Sequence, residues 1–499
     1  MLKKNKSIAL VMILALLIIT SSCAPKNTQA EIDKPAKTSA YWERKLCRSK
    51  LDIISSYGDD QAFHPKVLNF EKPWNGYRYW MAYTPYPGAD QRKENPHVCV
   101  SNDRIHWKPF EGEGKAVSLD PLTPFEDPDK QYNSDTHLVY RKDIDTLECY
   151  WRQVDNRTKI DKIMKRTTTD GIHWSKAQNV LVSDARTDRI LSPAIIYENG
   201  RYKMWTVNCT RKFPVLYRES KDGFHWEEQG IAVHRPKKPE LGWRSVATPD
   251  VLVWKGKYYL YYQAFSVMSG STGRDDCPVA MSYADSPDGP WTPVNEIIIP
   301  NGEPGDWDQF SIHDPQPLVY KGKIYLYYKS DYNGKDNGGL IRSQGLAIAD
   351  NPMGPFKKYE LNPIISSGHE TLFFRFKQGI ASIMAKDGHE NNTIQYSEDG
   401  KNFKVASICA MMPIASGLYD PDAFTDVPFA NGITWGISHY NLWGRNRRSI
   451  LLRFDCDLSI DFNDPEMKKN DVPFSLEELY RRGLTKKQKE IILKRDRIK

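Results

Sequence analysis

Between residues 61 and 457 the chain alternates apolar and polar positions in runs of strand length, broken at short intervals by glycine turns. "PAIIYENGRYKMWTVN" (193–208), "PDVLVWKGKYYLYYQAF" (249–265) and "PQPLVYKGKIYLYYKSD" (315–331) each read as two strands joined by a tight turn, with Gly supplying the positive φ. Looser versions begin at "FHPKVLNF" (63–70), "SDTHLVYR" (134–141), "GHETLFFRF" (368–376) and "YDPDAFTD" (419–426). Most pairs are followed by another strand and a polar turn that ends on an aromatic. "SNDRIHW" (101–107), "TTDGIHW" (168–174), "SKDGFHW" (220–226) and "SEDGKNF" (397–403) are of one kind, and "SPDGPW" (286–291) and "NPMGPF" (351–356) of another. One small antiparallel sheet cannot bury both of its faces, but sheets stacked in a ring can, and an aromatic after the turn packs between neighbours. The repeat therefore predicts an all-β fold, a β-propeller. Seven units fit residues 61–460, and five blades with the first two units as insertions is the alternative. A β-sandwich gives no reason to repeat one turn-and-aromatic motif. Short helical extensions are expected at 41–56 and at 475–496, the second capped by Ser475 with Glu478 three residues on.

Composition narrows the class. Of 499 residues 40% are hydrophobic and 12% aromatic, which suits a large β core and excludes a disordered chain. The net charge is +7, but no basic stripe accompanies a nucleic-acid motif, so no nucleic-acid partner is expected. "MLKKNK", the apolar run "SIALVMILALLIIT" and "SSC" resemble a bacterial lipoprotein signal peptide, although Thr20 stands where Leu is usual. That resemblance implies a signal over 1–22 and lipid on Cys23, with a linker and lead-in over 23–60, the propeller over 61–460 and a charged tail over 461–499. The expectation is an exported protein, anchored to a bacterial membrane through that lipid. The seven remaining cysteines include no CxxC pair, so no zinc site is expected; their odd number in a fold that is not small argues against a disulfide framework, and most read as buried strand residues.

The starts of the units converge on one mouth of a propeller's channel, however far apart they lie in sequence. Those positions hold His64, Asp135 with His137, Ser192, Asp250, His313 with Asp314, His369 with Glu370, and Asp420 with Asp422. Such a concentration of titratable groups points to a functional pocket. Arg189, Arg244 and His439 join them as candidate substrate-binding residues. The His and Asp set leaves room for a structural or catalytic cation in the channel, but no spacing demands one.

From about Trp243 to Leu458 the chain resembles glycoside hydrolase family 117 and, more distantly, family 43. The residues that carry the likeness are "ATPDVLVWKGKYYLYYQ", "IHDPQPLVYKGKIYLYYK", "NPIISSGHE", "NTIQYSEDGKNF", "YDPDAF" and "GITWGISHY", in the family's order. The resemblance implies exo-action on agar-type oligosaccharides that releases 3,6-anhydro-L-galactose, with a His as general acid. "SGHE" maps that acid onto His369, and "HDP" maps the Asp that tunes it onto Asp314. The family's base, an Asp-Pro at the start of its first blade, meets Ser192-Pro193 here. Ser is no carboxylate base, so Asp135 or Asp250 is expected in that role. Two further classes remain open. One is a lyase or dehydratase on a uronate-bearing glycan, using His64, His137, Tyr140, Arg189 and Arg244. The other is a non-catalytic glycan-binding lipoprotein.

Overall fold

The computed structural model describes residues 46–51, 53, 55–110, 127, 129–208, 215–232, 243–266, 278–303, 306–309, 311–330, 342–385, 388, 390, 393–408, 417–419, 424–430, 432, 435–442 and 448–456. The chain divides into two units, Met1–Ser39 and Ala40–Lys499, and every described residue belongs to the second. Cys23, the helix expected at 475–496, Asp420 and Asp422 lie outside the described residues.

Among the described residues there are seven antiparallel sheets of four strands, so the protein is a seven-bladed β-propeller. The first strands of the first six blades are Ala62–Trp74, Gln131–Arg141, Ile190–Glu198, Trp243–Trp254, Ile312–Tyr320 and Glu370–Phe376. The seventh blade takes Gly417–Tyr419, Trp435–Leu442 and Arg448–Cys456 from the end of the chain. Its fourth strand is Leu46–Lys50, paired antiparallel to Arg448–Cys456 from Leu46 opposite Cys456 to Lys50 opposite Leu452. This corrects the helical lead-in expected over 41–56. A three-stranded last blade presents a row of unpaired backbone groups, and satisfying that edge outweighs local helix propensity.

The polar turns do what their recurrence suggested. In "SKDGFHW" the Asp222 carboxylate accepts from the backbone N–H groups of Phe224 and His225 and pairs with the His225 ring. Asp103, Asp170 and Asp399 accept two backbone N–H bonds in the same way. His106, His173 and His225 therefore lock turns, and their side chains point to solvent. The aromatic that follows packs against the preceding blade. Trp107 joins Ile437 and Leu451 of blade 7, Trp174 joins Trp80 and Val100 of blade 1, and Trp226 joins Tyr150 and Ile163 of blade 2. Phe356 meets Tyr261 of blade 4, and Phe403 meets Tyr327 of blade 5. Burying such a ring contributes about 1.5–3 kcal/mol, and here each one ties two sheets together. Cys99 and Cys149 are buried free thiols in these cores.

The first five inner strands share a β-bulge at the same place, and those of blades 1 and 4 have a second register shift. The register shifts between Phe63 and Lys66, Ser134 and His137, Leu191 and Ala194, Ala247 and Asp250, and His313 and Gln316. A residue with positive φ sits inside each shift: His64 (49°), Asp135 (55°), Ser192 (49°), Thr248 (47°) and Asp314 (47°). An L-residue in this region costs about 1–2 kcal/mol, so five in equivalent positions mark a built feature.

Candidate active site

The bulges change the expected alignment. The counterpart of Asp314 in blade 4 is Thr248, and Asp250 comes two residues later, in register with Lys66, His137 and Gln316. The backbone N–H of Asp314 donates to the Thr248 hydroxyl at 3.3 Å, and that of Ser192 donates to Asp135 Oδ2 at 3.2 Å. In blades 2 and 5 the residue two past the bulge holds the next blade. His137 Nε2 lies 2.7 Å from the Ile195 carbonyl and 3.2 Å from its N–H, and Gln316 bonds the Thr371 carbonyl and the Phe373 N–H. Burial pushes the His137 pKa down to about 4, so its ring is neutral at pH 7 and works as a joint.

A cavity of about 380 Å³ opens on His64, Pro65, Lys66, Asp135, Thr136, His137, Ser192, Pro193, Ile437 and His439, drawn from blades 1, 2, 3 and 7. The sequence-predicted residues His64, Asp135, His137, Ser192 and His439 thus meet in one place. His64 is held by Glu94, a buried carboxylate 2.8 Å from Nδ1 that also accepts from Thr84 and Ser134. Burial lowers the His64 pKa, but the hydrogen bond and charge of Glu94 outweigh it, and the net shift is upward. His439 stacks on Phe63 with ring centres 3.9 Å apart. Asp135 pairs with Arg152, whose Nε is 3.0 Å from Oδ2 and whose guanidinium also donates to the Ile190 carbonyl. Arg189 faces Asp161, a fully buried carboxylate 3.6 Å away whose pKa burial raises.

Asp314 and His369 meet through a lysine. Lys329 is buried and donates to Asp314 Oδ2 and, at 3.1 Å, to the His369 carbonyl. The loop before His369 is pinned by Gln344, fully buried, which donates to the carbonyls of Ser367 and Gly368 and accepts from Thr371. His313 bonds the Ser311 hydroxyl at 2.6 Å. Asp250 touches solvent, yet the protein crowding its carboxylate desolvates it and pushes its pKa up to about 6. The side chains of Arg244 and Glu370 lie outside the described ones. Tyr140 bonds Asp145 and packs on Phe70 and Trp74, and it is not among the cavity's lining residues. Sequence reasoning missed Lys66, Glu94, Arg152 and Lys329, which read as ordinary strand or loop positions until the fold brings them to a bulge, and Gln344, which it brings to the loop before His369. Among the described residues, no group of three or more His, Cys, Asp and Glu side chains is placed to hold a metal ion. No described helix is long and apolar enough to cross a membrane.

Comparison with known proteins gives the family. Residues 177–345 match the model of glycosyl hydrolases family 43. A deacetylase of Flavonifractor plautii, named for A type blood N-acetyl-α-D-galactosamine, is 26% identical over 345 residues, covering 58% of this chain and 43% of that protein. The chain thus spans less than half of that curated relative. A thermostable family 43 glycoside hydrolase is 13% identical, covering 69% of this chain and 97% of its own, with a TM-score of 0.29. A family 117 glycoside hydrolase of the marine bacterium Zobellia galactanivorans is 46% identical, covering 59% of this chain and 92% of its own, with a TM-score of 0.43. By that shared sequence, at 46% identity over 92% of the Zobellia enzyme, the chain belongs to the family 117 glycoside hydrolases.

Proposed function

We propose that this glycoside hydrolase cleaves an oligosaccharide derived from a polysaccharide, with Asp135 acting as base in the place that Ser192 leaves empty. The observation that carries this reading is the contact of the Asp135 carboxylate with the Ser192 N–H at 3.2 Å. A carboxylate from blade 2 thus stands beside the position where the family's Asp-Pro would be. Arg152 orients it, and the cavity gives water and a sugar access to it. In the proposed reaction Asp135 takes a proton from water as the oxygen attacks the anomeric carbon. The His369 imidazolium gives its proton to the departing glycosidic oxygen as the C–O bond breaks. Asp314 and Lys329 fix the loop that carries His369 and set the charge around it. His439, which lines the cavity, is assigned to sugar hydroxyls in this reading. The amino-terminal pattern ending at Cys23 supports an exported, lipid-anchored enzyme.

Reducing-sugar release from a panel of oligosaccharides, agar-type and acidic, tests the chemistry. Asp135→Asn and His369→Ala should each lower kcat by about 10²–10⁴ while the far-UV spectrum stays that of the folded protein. An Asp135→Asn protein retaining activity within about threefold of the parent would remove Asp135 from the base role.

A further inference from the structure

The buried lysines among the described residues come with carboxylates, as does half-buried Lys358. Lys165 pairs with Glu148 at 2.8 Å, Lys203 with Glu198 at 2.7 Å, Lys358 with Asp308 at 2.6 Å, and Lys329 with Asp314. This is what desolvation demands, since a buried ammonium without a counter-charge is costly. Half-buried Lys66, Lys93, Lys162 and Lys401 have no such ion pair among the described residues, and of these Lys66 lines the cavity. Lys66 sits two residues past the blade 1 bulge. Burial lowers its pKa, and its charge in turn helps to lower that of His137. The neighbouring His64 also lines the cavity, and buried Glu94 holds its ring toward the protonated form. The one carboxylate among the lining residues, Asp135, is already engaged by Arg152 and the Ser192 N–H.

We infer that the cavity between blades 1, 2, 3 and 7 is a subsite for an anionic sugar, whose carboxylate or sulfate pairs with Lys66 and His64. The inference rests on the reading that the channel binds an oligosaccharide, and it names the class of sugar. A ligand oxyanion supplies the counter-charge that the protein withholds from Lys66. The cavity's about 380 Å³ lies within the usual range of small-ligand sites. Asp135 repels the same oxyanion, so the charged group turns to the blade 1 wall and the rest of the ring turns toward Asp135. Either a uronate or a sulfate ester offers this chemistry.

Calorimetric titration of the purified protein with digalacturonate, galactose 6-sulfate and neutral galactobiose separates the cases. The parent protein should bind at least one anionic probe about tenfold or more tightly than galactobiose, and the stronger of the two identifies carboxylate or sulfate. Lys66→Met should erase that preference and leave galactobiose binding within about twofold, and Lys66→Arg should keep it. Equal binding of charged and neutral probes by the parent, no binding of any, or an unchanged preference in Lys66→Met overturns the inference. Binding is read without turnover. A charge preference in a protein that hydrolyses nothing would leave the subsite standing and sink the hydrolytic reading, and hydrolysis without a charge preference would do the reverse.

Discussion

The turns between blades make a sharp prediction about glycine. Gly171 in "TTDGIHW" has a φ of +77°, and a Cβ there would lie 2.3 Å from Trp80 Cη2 and 2.7 Å from the Phe110 ring. Both rings belong to blade 1, so the clash falls on the seam that the repeated turn exists to close. Gly200 has nearly the same φ, +76°, and nothing within 4 Å of its added Cβ. Gly200→Ala should therefore show the backbone term alone, about 1–2 kcal/mol. Gly171→Ala adds overpacking of about 1–3 kcal/mol, for a total of about 2–5 kcal/mol. A third variant runs the other way. "SNDRIHW" places Arg104 where the other turns have Gly, at a φ of 68°. Arg104→Gly relieves about 1–2 kcal/mol of backbone strain and loses about 0.4–1 kcal/mol through a freer unfolded chain, so a net gain of about 0.5–1 kcal/mol is expected. Urea unfolding followed by tryptophan fluorescence measures all three. If Gly171→Ala and Gly200→Ala cost the same within about 0.5 kcal/mol, the turn does not press on the preceding blade and the reasoning fails.

Two further predictions concern charge and location. The Asp250 carboxyl has its folded pKa raised to about 6, so between its unfolded value of 3.8 and pH 6 the folded state holds the extra proton. Its contribution to stability falls as pH rises through that window, so relative to Asp250→Asn the parent should lose stability there; a parallel pH profile for the two proteins would show that the carboxyl is not desolvated. In a bacterial host, radiolabelled palmitate should enter the full chain and be absent from Cys23→Ser, and equal labelling of both would refute the anchor.

Much of the fold is written locally. Period-two runs, Gly turns and the aromatic after each polar turn are set within about ten residues, so strands and blade number could be read from one sequence. Leu46–Lys50 could not, because its strand character comes from Arg448–Cys456, some four hundred residues away. The site divides the same way. His64, Asp135, Ser192 and Asp314 were legible because each opens a repeated unit. Asp250 was aligned with them by its Pro neighbour, but the bulge shifts the register and gives that place to Thr248. Lys329 sits on a second strand and Glu94 on a loop, and only the packed sheets bring them to Asp314 and His64. Lys66 was hidden differently: a lysine in a strand is unremarkable until the fold sets it, without a carboxylate, in the wall of a cavity.

The bulges explain how one backbone carries different chemistry at equivalent places. Five non-glycine residues at positive φ cost together about 5–10 kcal/mol, comparable with the whole net stability of a typical domain. Such strain persists only where neighbours over-determine it. Here the neighbours are visible: His137 grips Ile195, Gln316 grips Thr371 and Phe373, and the Ser192 and Asp314 N–H groups bond to side chains of the blade before. Each bulge is restrained from the neighbouring blade, so His, Asp, Ser, Thr and Asp can stand at equivalent places, with Asp135 and Thr248 serving as acceptors for the next blade. In the proposed reaction the base that Ser192 cannot be is Asp135 next door, which needs no change of fold because the two positions share one backbone geometry and touch.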